Sequence, residues 1–129
     1  PAIIFEDSVV TYSILNKRLN AVAAWLQSIG IEKGDRVAIM MSNCPEFLEI
    51  YLACSRIGAI FVPVNFRLAV KEIDYTLKNC RPRLFLFGAE FSDTLGNLNF
   101  QDYLPPMLVA AKGKGDPKSG ILNYHKAVQ

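Results

Sequence analysis

Residues 36–64 read RVAIMMSNCPEFLEIYLACSRIGAIFVPV, and the fold is decided there. Arg36 to Met41 runs without alternation, apolar from Val37 on, the pattern of a strand covered on both faces. Asn43 and Pro45 then open a helix. Asn43 is the expected cap of the free amides, and Pro45 has no amide to waste in the first turn. Phe47, Tyr51, Cys54 and Ile57 recur at helical spacing and form the expected buried stripe. Gly58 stops the helix, Ile60-Phe61-Val62 is read as a second buried strand, and Pro63 ends it because proline lacks the ladder donor. Strand, helix, strand is one crossover unit.

The same alternation extends in both directions. Downstream, Ile73, Leu77 and Cys80 mark a helix over residues 70–80, with Asp74 and Lys78 as an i,i+4 pair. Leu84-Phe85-Leu86-Phe87 is a third buried strand. Upstream, Leu15, Leu19, Val22 and Leu26 form a helical stripe that Gly30 closes. Before it, Ala2–Phe5 and Val9–Tyr12 flank the polar cluster Glu6-Asp7-Ser8 and read as a hairpin. Right-handed crossovers make a parallel sheet, so the expected class is α/β: a parallel sheet with helices on both faces and an N-terminal β-hairpin. After Gly88 the periodicity weakens, and Lys112-Gly113-Lys114-Gly115-Asp116-Pro117 is loop composition. The expected division is an α/β subdomain over residues 1–100 and a loop-rich tail over 101–129.

Composition narrows the function. At 51% hydrophobic and 20% charged residues, the chain is expected to pack a core. Fourteen Lys+Arg against twelve Asp+Glu leave +2, too little charge for a nucleic-acid footprint, so no nucleic-acid partner is expected. The longest apolar run, Ile57 to Val64, falls far short of the about 20 residues of a membrane-spanning helix. No basic region followed by an apolar stretch and a small-residue cleavage site is found in the first residues, so no secretory leader is expected. Pro1, not a start methionine, leaves upstream sequence open. The three cysteines are odd in number and contain no C-x-x-C pair, which speaks against a disulfide framework or a zinc site. A reducing cytoplasm is the expected compartment.

Five short motifs stand in order: Ile3-Ile4-Phe5-Glu6-Asp7, Thr11-Tyr12-x-x-Leu15-Asn16, Gly34-Asp35-Arg36-Val37-Ala38, Asn43-x-Pro45-Glu46-Phe47, and Gly58-Ala59-x-x-x-Pro63-x-Asn65-x-Arg67-Leu68. Together they resemble the opening of an adenylate-forming (AMP-binding) enzyme, and acyl-CoA synthetases such as fatty-acid–CoA ligases above all. The resemblance implies the first part of the large N-terminal domain of such an enzyme. It implies ATP, coenzyme A and Mg2+ in the full-length protein, and a carboxylic acid, long-chain fatty acids included, as substrate. The acid pocket, the ribose-binding aspartate and the catalytic lysine of the family fall beyond residue 129, so the isolated chain is expected to be inactive. The alternative is a non-catalytic α/β partner-binding module on the same scaffold.

Arg67 follows a strand end, and ligands of open α/β sheets gather outside the carboxyl ends of strands. The resemblance implies that Arg67 meets the nucleotide phosphates of coenzyme A; a solvated arginine paired with Glu72 is the competing reading. Ala69-Val70 replace the family's Ser/Thr-Pro, so the cap of the next helix is expected to be lost. Gly115-Asp116-Pro117-Lys118, with His125 beyond, resemble the back half of the family's phosphate-binding loop, and Gly115 and Lys118 are the candidate ATP contacts. Lys112-Gly113-Lys114 replace the hydroxyl residues of its front half, Pro117 excludes a Walker loop, and a solvated lysine-glycine loop is the competing reading. Without an apolar anchor, 112–120 is expected to order only on an anion. Thr11 is read as a helix cap, Tyr12 as core, and Tyr51, Phe61 and Phe85 as core stripes. Cys44, near a helix start, is read as structural rather than reactive. No catalytic residue and no metal ligand is assigned.

Overall fold

The structure is a computed structural model that describes residues 1–99, 107–112 and 121–124. Strands β1 (Ile3–Phe5) and β2 (Ser8–Val10) pair antiparallel, with Phe5 opposite Ser8. Ser8 therefore belongs to the second strand, and its hydroxyl donates to the Phe5 carbonyl at 2.8 Å. Thr11 ends the hairpin and caps helix α1 (Tyr12–Ser28), its Oγ1 accepting from the Ile14 amide at 3.2 Å. That cap corrects the reading of Tyr12. As the first helical residue it points outward and is 75% exposed, while Val10 and Leu15 fill the space beneath.

Leu15, Leu19, Val22 and Leu26 are buried as their spacing requires. Gly30, at φ +82°, and Ile31 close α1 by donating back to Gln27 and Leu26, a left-handed terminus that glycine adopts without strain. Strand β3 (Arg36–Met40), helix α2 (Pro45–Ile57), strand β4 (Ile60–Pro63), helix α3 (Val70–Cys80) and strand β5 (Leu84–Gly88) follow. A 3-10 turn (Ala89–Phe91) leads into the short helix α4 (Ser92–Gly96), and then come β6 (Met107–Lys112) and β7 (Ile121–Asn123). Strands β3 to β7 form one parallel sheet in the order β4-β3-β5-β6-β7.

The unalternated runs are explained by the two faces of this sheet. Val37, Ile39, Leu84 and Leu86 pack toward α1 and α2, whereas Ala38, Met40, Phe85 and Phe87 pack toward Ile73 and Leu77 of α3. Apolar residues are needed at successive positions because both sides are covered.

Four expectations change. The α2 cap is Cys44, held extended by the following proline, and it makes no side-chain capping bond; Asn43 stands one residue too early. The buried face of α2 is Glu49, Ile50, Ala53 and Cys54, because the helix faces α1 as well as the sheet. Tyr51 is turned to the flank, 45% exposed, with its ring 5.3 Å from Phe61. Among the described residues strand β4 pairs with β3 alone, and Ile60 is half exposed and Phe61 partly so. Finally, β6 and β7 lie in the stretch read as loop-rich and add two strands to the sheet.

Helix α3 spans the expected residues, and Cys80 at its end is only half-buried. Arg36 reaches this end: Nε donates to the Cys80 carbonyl and Nη2 to the Arg81 carbonyl, both at 2.9 Å. At the other end Ala69 offers no hydroxyl, but its amide donates to Glu72 Oε2 at 2.9 Å, which keeps half of a capping box.

Candidate functional site at the carboxyl edge of the sheet

The carboxyl ends of β3, β4 and β5 release three segments side by side. After β4, the Val64 amide donates to the Ile39 carbonyl at 2.8 Å and prolongs the ladder. Asn65 then turns the chain, its Oδ1 accepting from the Arg67 amide at 3.0 Å. Arg67 is exposed, and its guanidinium carbon lies 5.6 Å from the centroid of the Phe66 ring. Among the described residues it has no carboxylate partner, and Glu72 is turned to the Ala69 amide instead.

After β5, Phe91 stacks on Phe66 with centroids 4.8 Å apart and planes 27° apart. Glu90 accepts a 2.8 Å bond from the Ser42 hydroxyl, which follows β3. Gly88 makes room for this turn, since a Cβ there would collide with the Glu90 carboxylate. The edge thus presents an exposed cation on an aromatic pair, and on the segment after β5 a carboxylate held by a hydroxyl.

Gly115, Lys118 and His125 lie outside the described residues, and with them the expected anion-dependent order of the loop. Strand β6 ends at the same edge, Lys112 beside Gly88. Three strand spacings, about 14 Å, separate β4 from β6. Sequence reading singled out Arg67 but not Ser42, Glu90 or Phe91. Their common signal is a place directly after a parallel strand.

A second polar group lies between α1 and α2. A cleft of about 290 Å³ is lined by Arg18, Pro45, Glu46, Glu49 and Tyr124 among others. Glu49, 5% exposed, takes Arg18 Nη1 at 3.1 Å on one oxygen and the Tyr124 hydroxyl at 3.2 Å on the other. Burial, and then the charge of Glu49, push the Tyr124 phenol well above its ordinary range. Tyr124 also meets Trp25 edge to face at 5.9 Å. Because Tyr124 directly follows β7, the network ties the end of β7 to α1 and α2.

The cysteines are structural. Burial pushes the Cys54 thiol up to about 12, and Cys44 is buried with its Sγ 3.6 Å from Met41 Sδ. The Cys80 thiol is raised by burial, with Arg36 partly opposing. Among the described residues, no group of three or more His, Cys, Asp or Glu side chains is placed to hold a metal ion. None of the described helices is long and apolar enough to cross a membrane.

The family model of the AMP-binding enzymes matches residues 1–126, and the chain belongs to that family. Crotonobetaine/carnitine–CoA ligase of Salmonella paratyphi C is 40% identical over 133 residues, covering 99% of this chain and 26% of the relative. The Citrobacter koseri enzyme of the same name is 43% identical over 95 residues, 70% of this chain and 18% of its own. The chain thus spans about a fifth to a quarter of the length of these relatives. Among solved structures, coronafacic acid ligase from Pectobacterium brasiliense superposes with a TM-score of 0.84 at 26% identity, over 95% of this chain and 25% of that one. A fatty acyl CoA synthetase of Mycobacterium tuberculosis gives 0.76 at 26% identity, over 95% and 23%. The chain thus corresponds to the N-terminal part of an AMP-binding, adenylate-forming enzyme.

Proposed function

We propose that this chain is the opening part of an ATP-dependent acyl-CoA synthetase and that its Arg67 receives the nucleotide phosphates of coenzyme A. In the complete enzyme a carboxylate attacks ATP, giving an acyl-adenylate and pyrophosphate. The coenzyme A thiol then takes the acyl group, releasing AMP and a proton. Arg67 serves the second step by binding: its planar fork offers paired donors to phosphate oxygens. Gly115 and Lys118 belong to a reduced phosphate loop that serves the first step with Mg2+-bound ATP. The acid is a fatty acid, long-chain acids included; relatives named for crotonobetaine/carnitine and for coronafacic acid show the scaffold with other carboxylates. The 129-residue chain alone forms no adenylate, since the acid pocket is supplied elsewhere, and the enzyme works in the cytoplasm.

The observation that carries this reading is Arg67 itself, exposed at the carboxyl edge, held over Phe66, with no carboxylate partner among the described residues. Arg67→Ala in the complete enzyme should raise the KM for coenzyme A about ten- to a hundredfold, since a charged bidentate contact is worth roughly 1.5–3 kcal/mol. Acid-dependent exchange of pyrophosphate into ATP should stay unchanged. An unchanged KM for coenzyme A would make Arg67 a solvated surface residue.

A further inference from the structure

Phe66 and Phe91 come from the segments after β4 and β5, strands that are not neighbours. Their stack passes over the end of β3, a span of about 10 Å between the two flanking strands. Both rings are partly buried against the cluster that includes Ala38, Met40 and Phe87. The stack is therefore anchored from below. Its upper neighbour is the Arg67 guanidinium, 5.6 Å from the Phe66 centroid and within the range of cation–π attraction.

We propose that the Phe66–Phe91 pair is a positioning device for Arg67, holding the guanidinium at the carboxyl edge in the orientation that receives phosphate. This rests on the reading that Arg67 binds coenzyme A. An exposed arginine otherwise spreads over many rotamers, and binding must then gather it into one. A guanidinium resting on an aromatic face is already gathered. Phe66 supplies the face, and Phe91, 25 positions further on, fixes that face by a stacked contact of the kind aromatic pairs make. Neither ring touches the ligand in this scheme, so both act through Arg67.

The test uses the complete enzyme. Phe66→Leu and Phe91→Leu retain apolar bulk but remove the ring, and Phe66→Tyr retains the ring. The leucine variants should raise the KM for coenzyme A about two- to fivefold, the range of an exposed cation–π contact, and leave acid-dependent pyrophosphate exchange untouched. Phe66→Tyr should restore the wild-type value. The double variant Phe66→Leu/Arg67→Ala should show the KM of Arg67→Ala alone, because nothing remains to be positioned.

If Arg67→Ala raises the KM and Phe66→Leu does not, the positioning role is overturned while the phosphate reading stands. An increase in the KM of ATP and coenzyme A alike would reduce the pair to core packing. If Arg67→Ala itself leaves the KM unchanged, the positioning role falls together with the reading beneath it.

Discussion

Replacing Tyr124 with Phe tests the join between strand β7 and the α1–α2 pair. The substitution deletes one hydroxyl and keeps the ring that meets Trp25 edge to face. Tyr124 is 1% exposed and its hydroxyl donates to the carboxylate of Glu49, itself 5% exposed. A hydrogen bond to a charged group contributes about 1.5–3 kcal/mol, and a buried acceptor that loses its donor keeps its desolvation penalty. Arg18 still holds the other oxygen from a half-exposed position, so the lower half of that range is expected. With a urea m-value of about 1–3 kcal/mol/M, the midpoint should fall by roughly 1 M. The chain has a single tryptophan, Trp25, and its fluorescence reports on this contact directly. A midpoint shift below about 0.2 M would refute the reasoning, because the hydroxyl would then contribute nothing beyond its exchange with water.

Alkaline pH should destabilise the chain in two stages. The folded Cys54 thiol is raised from 9.0 to about 12, so its stabilisation is complete below pH 9 and is lost as pH rises toward 12. Tyr124 is raised from 10.0, so its share is complete below pH 10 and declines above it. Urea midpoints across pH 8–11 check both, and Tyr124→Phe should flatten only the part above 10. Gly58→Ala should lower stability by about 1–2 kcal/mol, the cost of a left-handed alanine. Gly58 sits at φ +78° and the new Cβ would press on Lys33 Cγ at 2.9 Å. An unchanged urea midpoint would show that the α2 terminus relaxes freely.

Local chemistry made the centre of the fold legible. Runs 37–41 and 84–87 announce strands covered on both faces because no polar residue interrupts them, and their side chains do divide between two helical layers. Edge position was not legible. Ile60-Phe61-Val62 has the composition of a buried strand, and only the strand order shows that, among the described residues, β4 has one neighbour. Strand β6 was hidden by Pro105-Pro106 before it and by lysine and glycine after it, and β7 has three residues, too few for a pattern. Arg67 was found because a strand end can be read locally. The partners around it could not be: Phe91 reaches Phe66 across the end of β3, and Glu49 meets Tyr124 from 75 positions away. Such contacts exist only once the crossovers have been drawn.

The most direct test is the nucleotide product of the complete enzyme. Incubated with ATP, coenzyme A and a panel of carboxylic acids from acetate to palmitate, it should release AMP and pyrophosphate in step with acyl-CoA, and only when an acid is present. The isolated 129-residue chain should release neither. Acid-dependent ADP and phosphate, or no acid-dependent cleavage of ATP with any member of the panel, would contradict the assignment to acyl-adenylate chemistry. The second of these results would favour the non-catalytic partner-binding module.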